Sequence, residues 1–423
     1  MSSESISKNL WNRYVSALKH NDFRRYWYGA SIAACGVWGL IVARGALAYE
    51  ISDQSSTAVG LTTFAALIPF VIVPPFSGII ADRFDRKKLV AIGHGSNIIF
   101  AFILAIIYFF STTELWHLVA LSLFSGIARG FQLPAQIALV PNLVPKEDLL
   151  NAIALNALSL QGSRFFGSIL VTGMMLTEWG IGAAFVVAVF LYTIAMLLTL
   201  SLKTESRGII DSRASAWETI SAGLVYAYKN PGVGLMLVLI GLHCSFTMSF
   251  ESVFPSHVTT NFDVGLSGFS SIISFFGAGA VVGVISIAAI RSDVTKGRVL
   301  MLTGLGSSSG VVLMALSPSL MYGLAAAFLM GLTQAPFMSL TMTYLQSVVP
   351  DDIRGRVGGL FTLSALSLMA ISNLILGSLS DVYGSQIVLM IPGIIFLGII
   401  TLIILFVPIM NRIFFQGFPK LPA

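Results

Sequence analysis

The sequence predicts an all-α integral membrane protein whose twelve transmembrane helices form two pseudo-symmetric six-helix bundles. Three observations carry that reading. Hydrophobic residues fill 56% of the 423 positions and charged residues only 10%, which is more apolar surface than a water-soluble fold of this size can cover. Twelve apolar runs reach the roughly 20 residues that a helix needs to cross a bilayer. The 24 lysines and arginines fall in alternate connections between those runs or, for Arg44, Arg129 and Arg164, inside one. The intervening connections hold none. Short loops rich in Lys and Arg stay in the cytoplasm, so both termini are expected there.

The elements follow in order. Residues 1–25 form a basic cytoplasmic segment with Lys8, Arg13, Lys19, Arg24 and Arg25. The first bundle, 26–203, holds runs at about 26–49, 58–81, 89–112, 116–139, 151–176 and 181–202. The first of these begins near Tyr26 and continues for more than twenty residues, so it reads as an anchor and no cleavable signal peptide is visible. A hydrophilic linker spans 204–231. Within it Trp217, Ile220, Leu224 and Ala227 recur at helical spacing, which predicts an amphipathic helix along the inner membrane surface, ended by Pro231. The second bundle, 232–409, holds runs at about 232–256, 266–290, 299–317, 320–345, 357–380 and 385–409, and 410–423 form a cytoplasmic tail. Lipid tolerates no unpaired backbone, and the runs lack the alternation of a barrel strand, so each is a helix. Cys35 and Cys244 lie within runs, with neither metal spacing nor a disulfide framework, and read as small buried apolar residues.

The two halves repeat. Leu143-Val144-Pro145-Lys146-Glu147-Asp148-Leu149 and Val348-Val349-Pro350-Asp351-Asp352-Ile353 follow the fourth and tenth runs about 205 residues apart, each after a proline-bearing helix (Pro134, Pro336). Six plus six helices with parallel halves predict a transporter whose substrate path runs between the bundles near the midplane.

Between runs two and three stands Gly78-Ile79-Ile80-Ala81-Asp82-Arg83-Phe84-Asp85-Arg86-Lys87-Lys88. Gly78 lets two helices approach closely, and Asp82 is placed to accept hydrogen bonds from a helix N-terminus of the other bundle. Arg83, Arg86 and Lys87 hold the loop at the cytoplasmic headgroups. The loop resembles the signature of the major facilitator superfamily, G-x-x-x-D-R-x-G-R-[RK], with Asp85 at the usual second glycine. Within that superfamily, several segments together resemble the branch that contains enterobactin exporters and macrolide-efflux proteins. They are Asn21-Asp22-Phe23-Arg24-Arg25-Tyr26-Trp27, the Asp-Arg-Phe-Asp-Arg-Lys form of the loop, Leu133-Pro134-Ala135 followed by Val144-Pro145, Asn151-Ala152, and Ile353-Arg354-Gly355-Arg356-Val357. The likeness covers nearly the whole chain. It implies a secondary transporter in a prokaryotic cytoplasmic membrane, exporting a small amphipathic molecule such as a drug or siderophore by alternating access, with protons as the coupling ion and the chain acting as a monomer. Asp351, Arg354 and Arg356 would then form the inner loop of the second half, contacting its own bundle.

Two departures bear on that resemblance. Where drug antiporters of the superfamily carry a Gly-Pro motif in the fifth helix, this chain has Arg164-Phe165-Phe166-Gly167-Ser168. The fourth helix often has an arginine four residues before a glycine; with Gly126 as that glycine, Ser122 takes the arginine's place.

Charges inside a membrane are costly and are functional-site candidates by default. Arg44 and Glu251 are 207 residues apart, nearly equivalent under the repeat, and are expected to pair as a gate or coupling site. Glu251 is the one carboxylate placed well within a run, so it is the candidate proton carrier; Glu50, Asp53 and Asp381 lie at or beyond run ends. Arg129 and Arg164 would set a positive potential around a cavity lined also by Asn156, Gln161, His243 and Asn373, suited to an acidic or polar substrate. Each has a plainer alternative. The arginines and Glu251 can bond carbonyls or pair structurally, His94 and His243 can be packing groups, and Asn97, Asn156, Gln161 and Asn373 can bond between helices.

Phosphate loops, zinc spacing and nucleophile elbows are missing, and no hydrophilic segment exceeds about 30 residues, which argues against an enzyme and against a cofactor or metal centre. The cations follow the loop pattern rather than one patch, which argues against nucleic acid. An importer or a lipid flippase on the same fold is the remaining alternative.

Overall fold

A computed structural model describes residues 15–73, 84–206 and 216–419. Its helices are α1 (Asn21–Ile51), α2 (Ser56–Leu67), α3 (Arg86–Phe110), α4 (Leu115–Leu139), α5 (Leu149–Met175), α6 (Gly180–Leu200), α7 (Ala216–Lys229) and α8 (Pro231–Thr247). They continue with α9 (Phe254–Asn261), α10 (Ser267–Ala288), α11 (Asp293–Ala315), α12 (Leu320–Val348), α13 (Asp351–Tyr383), α14 (Ser385–Phe406) and α15 (Pro408–Gln416). Among the described residues there is no strand. Among the described residues nine helices qualify by length and composition to cross a membrane: α1, α3, α4, α6, α10, α11, α12, α13 and α14. The other three predicted spans correspond to α2, α5 and α8, two of them shortened by breaks.

The breaks have local causes. The run at about 58–81 is helical to Leu67, then Pro69, which has no N–H to donate, starts a separate turn, Pro69–Ile72. The run at about 232–256 is not one helix. It ends at Thr247, unwinds over Met248–Val253 and resumes as α9, with Pro255 in the first turn. At the end of the last run Pro408 opens α15, which packs on α11. The linker helix is present as α7, and it meets α8 at 114° across Asn230, the geometry of a helix lying across the bundle rather than along it. Its Gly223 and Ala227 turn toward the protein, with Gly223 against Leu360 of α13.

Packing obeys the repeat. In the first half α1 packs on α5 and α6, α3 on α4 and α6, and α2 on α4. Six spans on, the pairing recurs: α8 packs on α13 and α14, α11 on α12 and α14, and α10 on α12. The contacts that join the halves are themselves exchanged by this operation, α2 with α13 and α5 with α10. Two related bundles therefore meet along two symmetric seams, and a path between them has to run along those seams. The two ends of the molecule differ in their loops. One end carries the Lys- and Arg-rich connections; the other, with residues 52–55, 111–114, 176–179, 316–319 and 384, carries none.

Candidate functional site

The seam between α5 and α10 is closed by a glycine. A methyl group at Gly277 would stand 2.5 Å from the Phe165 amide nitrogen, so only glycine lets the α10 backbone meet α5 at Arg164 and Phe165. That approach lays the Arg164 guanidinium between two aromatic faces, with its central carbon 4.0 Å from the ring centroids of Trp38 on α1 and Phe276 on α10. A planar guanidinium stacks there as an ammonium would not.

Glu251 completes the site. Its Oε1 lies 3.5 Å from Arg164 Nη2, and both side chains are buried. Among the described residues neither Nη2 nor Nε of Arg164 has a hydrogen-bond partner. The pair crosses from one bundle to the other, because Glu251 sits on the unwound turn between α8 and α9. Three second-bundle side chains hold that turn. Gln334 Nε2 donates to the Thr247 carbonyl at 2.8 Å, Asn373 Oδ1 accepts from the Ser252 amide at 3.1 Å, and Ser249 Oγ donates to the Cys244 carbonyl at 2.9 Å. Backbone groups freed by the break are thus satisfied inside the bundle, the condition for non-helical chain at membrane depth.

The pairing of Glu251 with Arg44 expected from the repeat is not the one formed. Arg44 donates instead to the Leu40 carbonyl from Nε and to Ser122 Oγ from Nη1, both at 3.1 Å. The cause is the break after Thr247, which carries Glu251 to the α5–α10 seam while Arg44 turns into its own bundle toward α4. Ser122 stands where the resemblance leads one to look for an arginine, so the guanidinium beside α4 is supplied from α1. Gly126, one turn on, packs against the Ala66 carbonyl of α2. Arg44 and Arg129 also lie within electrostatic range of Glu251, while among the described residues Arg164 is the arginine that forms an ion pair with it. Arg129 is half-buried over the Phe70 ring.

The other sequence candidates divide. Asn373 belongs to the site through the Glu251 turn. His243 lies inside the second bundle, stacked 4.4 Å from Phe337 and bonded to Ser307 Oγ at 2.9 Å, away from the ion pair. Asn156 and Gln161 are half-buried on the stretch of α5 that leads to Arg164. Trp38, Phe276 and Gln334 were not singled out. Gln334, a polar residue two before Pro336 in an apolar run, was a signal; the aromatic pair gave none, since its role depends on how three helices are rotated.

At the cation-rich end, Gly78, Asp82 and Arg83 lie outside the described residues. From Asp85 onward the loop is anchored within the first bundle. Asp85 is the N-cap of α3, accepting from the Lys87 amide at 3.0 Å, so the residue that departs from glycine starts a helix. Arg86 Nη1 donates to the Ala138 carbonyl at 3.2 Å, and Lys87 Nζ to the Leu202 carbonyl at 3.0 Å. In the second half, Asp351 begins α13, and Arg354 reaches back to the Val349 carbonyl of its own bundle. Arg356 is half-buried on the first turns of α13, with its carbonyl near Gly223 of α7.

The fold agrees with what the chain is similar to. The family model described as transmembrane secretion effector matches residues 13–414. The chain belongs to that family of the major facilitator superfamily and is a multi-pass membrane transporter. It is 25% identical over 385 residues to the enterobactin exporter EntS of Escherichia coli O127:H6 and to that of Shigella boydii serotype 18, covering 88% of this chain and 89% of each relative. Among solved structures it resembles a POT family transporter in complex with 5-aminolevulinic acid (TM-score 0.73, 14% identity, 92% of this chain and 96% of that one). It also resembles the nucleoside transporter NupG (TM-score 0.69, 14% identity, 90% and 98%).

Proposed function

We propose that the chain is a proton-coupled exporter of a small amphipathic molecule with acidic groups, of the siderophore kind, working by alternating access in a prokaryotic cytoplasmic membrane with both termini inside. The observation that carries this reading is the buried Arg164–Glu251 pair across the bundle boundary. A buried pair holds only while both partners are charged. Protonating Glu251 removes one charge and frees the bundles to part; an acidic substrate that draws Arg164 to itself has the same effect, with Glu251 still compensated by Arg44 and Arg129. With neither proton nor substrate bound, the pair stays made and the bundles stay joined. A carrier that moves only when one or the other is bound is an antiporter. The relatives named as enterobactin exporters support the direction and the cargo class, and the excess of arginines over carboxylates within electrostatic range of Glu251 supports an anion.

The test uses everted membrane vesicles with an acid lumen and enterobactin as the probe. The proposal expects accumulation that collapses when the proton gradient is dissipated. Accumulation indifferent to the gradient would remove proton coupling, and no accumulation would remove the cargo class.

A further inference from the structure

At the cation-poor end a carboxylate of the second bundle is set on the first turn of a first-bundle helix. Asp381 is in the last turn of α13, in the second bundle. Its Oδ1 accepts from the Ser56 amide at 2.6 Å, and its Oδ2 accepts from the Thr57 amide at 2.9 Å, from Thr57 Oγ1 at 2.6 Å and from Ser55 Oγ at 2.7 Å. All of these donors belong to the start of α2, in the first bundle. The two amides are among those that a helix leaves without an internal partner, at the positive end of its dipole. Ser55 is already the N-cap of α2, accepting from the Ala58 amide, so one helix end is served by its own cap and by a carboxylate from the opposite bundle.

The helices behind this contact run backbone to backbone. A methyl group at Gly60 would stand 2.6 Å from the Asn373 carbonyl oxygen, and one at Gly377 would press on the Ser56 carbonyl. Tyr49 Oη and Thr259 Oγ1, 3.1 Å apart, add a second link between α1 and α9 at the same end. Asp381 nonetheless is exposed to solvent. Its hydrogen bonds can be exchanged for water when the bundles part, unlike those of a buried group. A contact that is charge-assisted when made and hydrated when broken suits a seal that opens in every cycle.

We propose that Asp381 and the N-terminus of α2 form a releasable latch that closes the transport path at the cation-poor end. The inference rests on the alternating-access reading and adds to it the element that sets the balance between the two states. Bonds to a charged group are strong enough that losing the latch should shift that balance toward the state open at this end by about tenfold.

The test places nitroxide labels on cysteines at Thr177 in the first bundle and Ser319 in the second, both exposed at this end, with Cys35 and Cys244 replaced by alanine, and reads distances by pulsed electron resonance in nanodiscs. Wild type should show a dominant short distance and a minor long one. Asp381→Ala should raise the long population about tenfold relative to the short, and Asp381→Glu should restore part of the difference. If Asp381→Ala does not fold, Thr57→Val and Ser55→Ala, which keep the carboxylate and remove hydroxyl partners, should shift the same ratio by a smaller factor. Two distances in wild type with a ratio that none of the folded variants changes would overturn the latch and leave alternating access standing. A single fixed distance in wild type under all substrate and pH conditions would overturn both.

Discussion

Arg164 and Glu251 stand 3.5 Å apart across the boundary of the two bundles, one on a continuous helix and the other on a break in a helix. The pair is stacked between Trp38 and Phe276 on the arginine side, and the turn bearing Glu251 is held by Gln334 and Asn373 on the other.

Removing one partner of a buried pair leaves the other charge uncompensated, at a cost of about 3–5 kcal/mol. Arg164→Ala should therefore lower the melting temperature of detergent-solubilised protein strongly. The double variant Arg164→Leu/Glu251→Leu should recover most of the loss while transporting nothing. A double variant no more stable than Arg164→Ala would show that the pair is not the source of the effect.

Asn373 holds the Glu251 turn through the buried Ser252 amide. Asn373→Leu orphans that amide, which costs about 1–3 kcal/mol. We expect a lower melting temperature and slower transport even though residue 373 touches neither charge. Unchanged turnover in a destabilised Asn373→Leu protein would separate the turn from the transport step.

Gly277→Val forces a side chain into the Phe165 backbone. Overpacking of this kind costs about 1–3 kcal/mol. The protein should still insert, as judged by surface labelling, yet lose transport because α5 and α10 no longer meet. Wild-type rates in Gly277→Val would contradict the closeness of that seam.

Asp148 tests pH dependence at the cation-rich end. Hydrogen bonds from Ser16 and His20 hold its carboxyl below the ordinary carboxylate value. A depressed folded pKa gives stability that is present above the unfolded value and lost as pH falls through the folded one. The melting-temperature advantage of wild type over Asp148→Asn should accordingly shrink as pH is lowered from about 5 toward 3. An advantage that grows with acid would reverse the sign.

Sidedness is tested by single cysteines in a background lacking Cys35 and Cys244. Those at Thr112, Thr177 and Ser319 should react with an impermeant thiol reagent from outside the cell, and one at Glu205 only from inside. Glu205 is chosen over its neighbour because Ser206 is buried. Outer labelling at Glu205 would invert the topology.

The helices were legible because lipid imposes length and apolarity on each, and the cations mark alternate ends. Apolarity does not encode how a helix is rotated or where it breaks. The run at about 232–256 contains only one proline, Pro255, and nothing in it says that the chain unwinds at Met248 rather than bending at the proline; Gln334 and Asn373, far along the sequence, decide that. The repeat suggested Arg44 for Glu251 by counting residues, and counting fails across an unwound turn, which is why Arg164 is the partner. Of the four charges inside runs, Arg164 and Glu251 meet at the seam, whereas Arg44 bonds within its own bundle and Arg129 lies over Phe70. Asp381 lies at a run's end, where a carboxylate is ordinary, so its four bonds to α2 became visible only when the two helices were placed side by side.

The most direct measurement of the central claim is enterobactin transport by purified Glu251→Gln protein in proteoliposomes, with and without an imposed proton gradient. Glutamine keeps the shape and cannot change its charge. The account predicts that gradient-driven accumulation is lost while exchange of labelled for unlabelled enterobactin at equal concentrations continues. Gradient-driven accumulation at the wild-type level would contradict it.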